Sequence, residues 1–316
     1  MKLFTVLIAG LYLVSCSSPS PEKEAKEGKN EVNEVTDTRD LLKDYKTFIA
    51  SLDSKSEKSV TLAAEKYAEL FSGANQGLCD SAYVVFDQLY EKIEGSLNEK
   101  LMNDSFFEDF PCITFDSLGV REEPFEKKYV PFRKSIEKNG FRIDCPEGMV
   151  EIGQNRSFVS KHFYTFVSPV MKEYLEGLRQ ETDEVFSVDA GIVISPQQYA
   201  DRLVWWENFN KKNPDFMLSK NAQSIQKYLF TFFLLGMDNT PLINHFTDDN
   251  GVEKQELDSY FEDAYAYLNK KYPNSESNAL VKPYKMTVLK NDAAKRERLI
   301  KTYTNRGLMI DFSKEY

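Results

Sequence analysis

Along most of the chain, apolar residues recur at three- and four-residue intervals, the period of a helix with one buried stripe. Leu41, Leu42, Tyr45, Phe48, Ile49 and Leu52 form the first such stripe. Val60, Ala63, Tyr67, Leu70 and Phe71 form the second, with Gly73 as its stop. A third helix is predicted over 81–101, with Val85, Phe86, Leu89, Ile93 and Leu97 inward. Short connections between three amphipathic helices favour antiparallel packing.

The middle of the chain loses this rhythm. Residues 106–126 contain Pro and Gly without a period, which predicts an irregular crossover. Tyr129, Phe132 and Ile136 permit a short helix ending at Asn139-Gly140. Apolar and polar residues then alternate over 141–145 and 149–152, on either side of Pro146-Glu147-Gly148, which predicts a β-hairpin. A lone hairpin is marginal in water, so it must lie against helices.

The helical period resumes over 158–178, where Pro169 should kink or split the helix. Ser195-Pro196-Gln197-Gln198 is the clearest start signal: a hydroxyl cap, proline at the first turn and a capping-box glutamine. That helix carries Tyr199, Leu203, Trp206 and Phe209 and ends near Asn213-Pro214. Further helices are predicted with Ile225, Tyr228, Leu229, Phe232 and Phe233 before Gly236, then over 253–272, 278–289 and 293–303. The fold class is therefore mainly α, stacked helical hairpins with one small β-hairpin. Asn210-Lys-Lys-Asn-Pro-Asp215 echoes Asn269-Lys-Lys-Tyr-Pro-Asn274. The echo is either a short solenoid resembling tetratricopeptide repeats or ordinary helix-stop chemistry, since its spacing exceeds the ~34-residue period of such repeats.

The N-terminus has a different logic. Met1-Lys2 precede an uninterrupted, mostly apolar run over 3–14, followed by Leu13-Val14-Ser15-Cys16. The run is shorter than the ~20 residues that span a hydrocarbon core, and suits the apolar region of an export signal. The order of charge, apolar run, small residue and cysteine resembles the lipobox of bacterial prolipoproteins. That resemblance implies cleavage before Cys16 and acylation of its thiol, so that 1–15 is a lipoprotein signal peptide. It further implies a cell-envelope protein held to the membrane by a lipid anchor. Ser17 in place of Asp favours the outer over the inner membrane, where a cell has both. Residues 16–39, rich in Ser, Pro, Glu and Lys, offer little apolar surface to offset ordering and are expected to form a disordered tether. Residues 40–316 then form the helical domain, with its irregular section over 104–156.

Charge removes some functions. The net charge is −10 and no basic run occurs, so no nucleic-acid partner is expected. With Cys16 committed to lipid, Cys79, Cys112 and Cys145 remain. An oxidising envelope permits a disulfide; Cys112–Cys145 is the expected pair, and three buried free thiols are the alternative. No C-x-x-C or H-x-x-x-H accompanies them, so no metal site is expected.

Candidate chemistry is sparse. His162 and His245 lack the partners of a metalloenzyme or a serine hydrolase, and no phosphate-binding glycine motif occurs, so no catalytic or cofactor residue is assigned. Residues 247–251 resemble the acidic loop of an EF-hand, but register on Gly251 puts Phe246 and Leu257 where acidic ligands belong. Asp238-Asn239-Thr240-Pro241 reads as a turn and the start of the next helix. Asp80-Ser81-Ala82 and Asp116-Ser117-Leu118 resemble the Asp-Ser-aliphatic acceptor of a bacterial O-glycosylation system. Trp205 and Trp206 point about 100° apart, so both cannot face one core. Trp206 fits the buried stripe, while Trp205 either packs on a neighbouring helix or lines a groove. The reading is a membrane-anchored envelope lipoprotein with a non-catalytic domain that binds or scaffolds an envelope protein or glycan partner. An envelope hydrolase using paired carboxylates is the alternative.

Overall fold

The computed structural model describes residues 31–107, 110, 114–116, 119–121, 127–146, 149–247 and 249–314. Its first three helices, α1 (Glu31–Ser51), α2 (Lys58–Phe71) and α3 (Gln76–Asn103), pack on one another as their stripes dictate. Helix α1 begins nine residues before the expected domain boundary at Asp40, so 31–39 continue the helix rather than the tether. Buried tyrosines join these helices through their hydroxyls. Tyr45 donates to the Ala63 carbonyl at 3.1 Å, and Tyr67 donates to that of Cys79 at 3.0 Å. Each ring thus buries its apolar body and still satisfies its polar end.

The segment expected to be an irregular crossover contains a 3-10 turn at Ser105–Phe107 and a short antiparallel pair, β1 (Thr114–Asp116) and β2 (Gly119–Arg121). Helix α4 (Val130–Lys138) ends where Asn139-Gly140 predicts. Gly140 has φ +93°, and a Cβ there would meet the Phe158 ring at 2.9 Å, so the turn needs glycine. The expected hairpin follows as β3 (Phe141–Asp144) and β4 (Glu151–Gln154), with Ile143 opposite Ile152. Helix α3 supports its free edge: the Asn98 amide bonds both the N–H and the C=O of Ile152 at 2.8 Å. A side chain here does what a third strand would do.

Pro169 splits the next helical stretch. Helix α5 (Arg156–Phe163) stops, and α6 (Pro169–Asp183) starts with Ser168 as cap and Pro169 in the first turn. After the pair β5 (Ser187–Val188) and β6 (Gly191–Ile192), α7 (Pro196–Lys212) opens with the predicted capping box: Ser195 Oγ accepts from Gln198 N, and Gln198 Oε1 accepts from Ser195 N. Helix α8 (Ser219–Leu235) closes on Gly236 at φ +72°. There the backbone of 240–242 leaves no room for a Cβ.

Two expectations change between α8 and the chain's last helices. Asp238 does not precede a helix; it occupies the exposed turn between β7 (Gly236–Met237) and β8 (Thr240–Pro241). The helix expected from Glu253 starts later. Residues Glu253–Leu257 form β10, paired with β9 (Ile243–Thr247), and α9 runs Ser259–Lys271. Asp258 makes the break, since its carboxylate accepts from Tyr260 N at 2.8 Å and from the Asn244 amide at 2.8 Å. Leu257 fits the helical stripe of Phe261, Ala264 and Leu268 by spacing, which is why the pattern alone runs through it. Helices α10 (Glu276–Leu289) and α11 (Ala293–Asn305) complete the described chain. Eleven helices and five two-stranded pairs are present among the described residues, so four small pairs join the expected hairpin, with no closed sheet among them.

The repeated turn has a structural counterpart. The residue that caps α7, Asn213, and the one that caps α9, Tyr272, share a conformation (φ −125°, ψ 57° and φ −126°, ψ 55°). Three residues earlier in each case, an asparagine reaches the following helix. Asn210 donates to Ala222 O and Gln226 Oε1 on α8, and Asn269 accepts from the Asn278 amide on α10. Helix α7 packs on both α8 and α9. The likeness ends there, because strands β7–β10 interrupt the stacking of the two hairpins.

Candidate functional site

Within Trp205-Trp206-Glu207, consecutive helical positions face three directions and take three roles. Trp206 is buried, and its indole N–H donates to Glu181 Oε1 on α6 at 2.9 Å. Glu207 is also buried and points at the start of α10, accepting from the backbone N–H of Glu276 (2.7 Å) and Ser277 (2.9 Å) and from the Ser277 hydroxyl (2.6 Å). A carboxylate at a helix N-terminus answers orphan amides and the positive end of the dipole. Trp205 is half-buried, stacks on Phe209 with ring planes 13° apart, and lies against α6 at Gly177. Among the described residues its indole N–H makes no hydrogen bond.

Trp205 borders two clefts. One, of about 320 Å³, is lined by Glu176, Gly177, Arg179, Gln180, Asp183 and Glu184 together with Trp205. The other, of about 220 Å³, is lined by Gln180, Asp201, Arg202, Val204, Asn208 and Tyr272, again with Trp205. Gln180 and Trp205 line both, so the two are neighbours on the surface between α6 and α7. Trp205 therefore combines the two roles the sequence left open, packing on a neighbouring helix and lining a groove.

The charges in this groove are already engaged. Arg202, 1% exposed, binds Glu181 through Nη1 at 3.1 Å and Glu184 through Nη2 at 2.8 Å, while its buried Nε has no acceptor among the described residues. Arg179 pairs with Glu176 at 2.8 Å and with Asp183 at 3.7 Å. Asp201 accepts from Lys271 Nζ at 2.9 Å and from the Tyr272 hydroxyl at 2.8 Å. Acidic residues crowd the C-terminal end of α6, where the dipole disfavours them. Arg202 from α7 and Arg142 from β3, which donates to Thr182 O at 3.0 Å, supply the compensating cations.

A second polar group lies elsewhere, between α3 and the β3–β4 hairpin. Tyr83 donates to Asp87 at 3.0 Å, Arg156 lies 3.9 Å from the same carboxylate, and Gln154 donates to Glu94 at 2.8 Å. Burial raises the carboxyl groups of Asp87, Glu91 and Glu94; that of Glu94 reaches about 7. None of these residues lines either cleft. The carboxylates with shifted protonation and the groove are separate features.

The remaining sequence candidates fall into place as follows. Cys16 and Cys112 lie outside the described residues; Cys145 is disulfide-bonded and Cys79 is a buried free thiol. His162 rests on the Phe158 ring, and burial, then Lys161, lowers its pKa. His245 is exposed on β9, so the two histidines sit on different elements. Of the acidic loop at 247–251, Asp248 lies outside the described residues and the rest lies at the tip of the β9–β10 hairpin; no group of metal-binding side chains occurs among the described residues. Asp80-Ser81-Ala82 is inside α3, where Asp80 is buried and accepts from Ser168 N at 2.8 Å. A helical serine with its hydroxyl on Gly77 O does not present an extended acceptor segment. Ser117 lies outside the described residues. No helix among the described residues is long and apolar enough to cross a membrane. No family model, curated protein or solved structure matches the chain.

Proposed function

We propose that the protein is a lipid-anchored cell-envelope lipoprotein whose helical domain binds a saccharide, without catalysis, in the groove at Trp205. The observation that carries the binding role is the contrast between the adjacent indoles. Trp206 is buried with its N–H committed, whereas the half-buried Trp205, whose N–H makes no hydrogen bond among the described residues, borders two clefts lined by amides and carboxylates. An aromatic ring beside planar polar side chains suits a ligand with apolar C–H faces and a rim of hydroxyls. Among the described residues the carboxylates with raised pKa lie on α3 and β4, outside the clefts, which favours binding over acid–base hydrolysis at this groove. The anchor rests on Leu13-Val14-Ser15-Cys16, and residues 17–30 would reach about 50 Å at full extension.

Two experiments test this reading. Intact mass of the membrane-extracted protein should start at Cys16 and carry diacylglycerol; a mature chain starting elsewhere, without lipid, removes the anchor. Titration of the same protein with a panel of neutral and acidic oligosaccharides should perturb tryptophan fluorescence in wild type and in Trp206→Phe, but not in Trp205→Phe. If no saccharide changes the signal or is detected by calorimetry, the binding role falls.

A further inference from the structure

Residues 282–306 reverse the sign of the chain. They hold eight Lys and Arg against two acidic residues, Asp292 and Glu297, in a protein of net charge −10. The cations are spaced along the sequence, and helix geometry gathers them. Helix α10 buries Val281, Tyr284 and Val288 against the body. Its opposite stripe carries Lys282, Lys285, Met286 and Leu289, at the three- and four-residue spacing that puts side chains on one face. Met286 is 45% exposed and Leu289 56%. Helix α11 runs back along α10, since Tyr303 near its end donates to the Leu280 carbonyl at 2.9 Å. Its exposed side adds Lys295 and Arg298.

Unlike the cations near Trp205, these are not engaged. Among the described residues, Lys282, Lys285, Lys290, Lys295, Arg298 and Lys301 make no ion pair, while Arg306 pairs with Glu276 at 3.5 Å. Of the two acidic residues, Asp292 is committed as the cap of α11, accepting from Lys295 N at 2.9 Å.

We propose that the hairpin of α10 and α11 is a membrane-docking face, which lays the domain against a bilayer surface of anionic headgroups with Met286 and Leu289 entering the headgroup layer among the lysines. Each Lys or Arg brought to an anionic leaflet strengthens binding by about fivefold. The two apolar side chains select a bilayer over a polyanion in water, because only the bilayer offers them an acyl boundary to enter. The acidic remainder of the domain is repelled by the same surface, so the hairpin is the side that faces it. The inference is independent of the saccharide reading and takes from the anchor reading only the nearness of a membrane. Residues 17–30 at full extension match the diameter of about 50 Å expected for a domain of this size, so an anchored domain can turn this hairpin to the lipid.

Flotation of the mature chain with Cys16→Ser, which carries no acyl group, tests the proposal. The vesicles are phosphatidylcholine alone or with an equal part of phosphatidylglycerol, at low and high sodium chloride. The protein should bind the mixed vesicles in low salt, leave them in high salt as charges are screened, and ignore pure phosphatidylcholine. Lys282→Glu/Lys295→Glu should weaken binding by about tenfold or more. Lys43→Glu/Lys46→Glu makes the same change of net charge at exposed positions of α1 and should alter binding by less than about twofold. Met286→Ser/Leu289→Ser should weaken it by about tenfold. These four hairpin side chains are exposed, so unchanged thermal melting separates a lost surface from a lost fold. No binding to the mixed vesicles, or equal binding to pure phosphatidylcholine, overturns the proposal. So does an equal loss in the α1 variant, which would reduce the effect to net charge. If Met286→Ser/Leu289→Ser binds vesicles like wild type and a DNA duplex binds as tightly as they do, the face is a general polyanion site and membrane docking falls. None of these outcomes bears on the saccharide titration or on the mass of the anchor.

Discussion

Gly177 and Trp205 share one space: a methyl group on Gly177 would lie 2.5 Å from two carbons of the Trp205 six-membered ring. Helix α6 therefore gives up a side chain at this position so that α7 can lay an indole against its backbone. The two helices meet through that contact, through Tyr174 beside Trp206, and through the arginine pairs at the end of α6.

Gly177→Ala should lower stability by about 1–3 kcal/mol, the usual effect of overpacking, and weaken ligand binding by tilting Trp205. Gly95 in α3 is the control, since a Cβ there meets nothing within 4 Å. Gly95→Ala should raise stability by about 0.5–1 kcal/mol through helix propensity alone. Urea denaturation of both variants checks this. A Gly177→Ala protein as stable as Gly95→Ala would show that the indole moves freely.

Glu207 joins α7 to α10 through three hydrogen bonds on one buried carboxylate. Glu207→Ala should destabilise by about 3 kcal/mol, because buried amides lose their acceptor. Glu207→Gln keeps one acceptor and should cost about half as much. Hydrogen exchange at Glu276 and Ser277 should speed up in the alanine variant. Unchanged exchange there would contradict the cap.

Stability should fall as pH rises from about 5 to about 8, and Glu94 should supply part of the slope. Burial raises its carboxyl from 4.5 to about 7, against the lowering effects of Gln154 and Arg156. Between those values the folded protein holds a proton that the unfolded chain releases, so folding is favoured at the acid end and loses that share as pH passes about 7. Glu94→Gln retains the contact with Gln154 and removes the titration. Its Tm should exceed wild type at pH 8 and approach it at pH 5. Parallel Tm curves for the two proteins across this range would refute the assignment.

The disulfide at Cys145 is expected to pair with Cys112. Non-reducing peptide mapping should recover those two cysteines in one linked fragment and Cys79 as a free thiol, alkylated only after unfolding. A fragment joining Cys145 to any other residue would reject the pairing.

Helix positions were readable because their signals are local. The Ser195 capping box, the Pro169 break and the Asn139-Gly140 stop each act within one turn of backbone, so residue type and spacing suffice. The β9–β10 hairpin escaped the same reasoning. Leu257 matches the helical stripe that follows it, and Asp258 interrupts that stripe only because its carboxylate engages Tyr260 and Asn244. The groove was half legible: Trp205 and Trp206 had to diverge on a helix, yet nothing near them in sequence announces Gly177, Gln180 or Glu181.

By itself the chain's order of residues determined the helical class, most helix ends and the β3–β4 hairpin, since each depends on neighbours within a few positions. Tertiary structure alone decided which tryptophan commits its N–H to Glu181, which carboxylates lie buried beside Arg156, and where two clefts open. Those outcomes depend on residues far apart in sequence meeting at fixed distances, and helical periodicity carries no information about which stripe meets which.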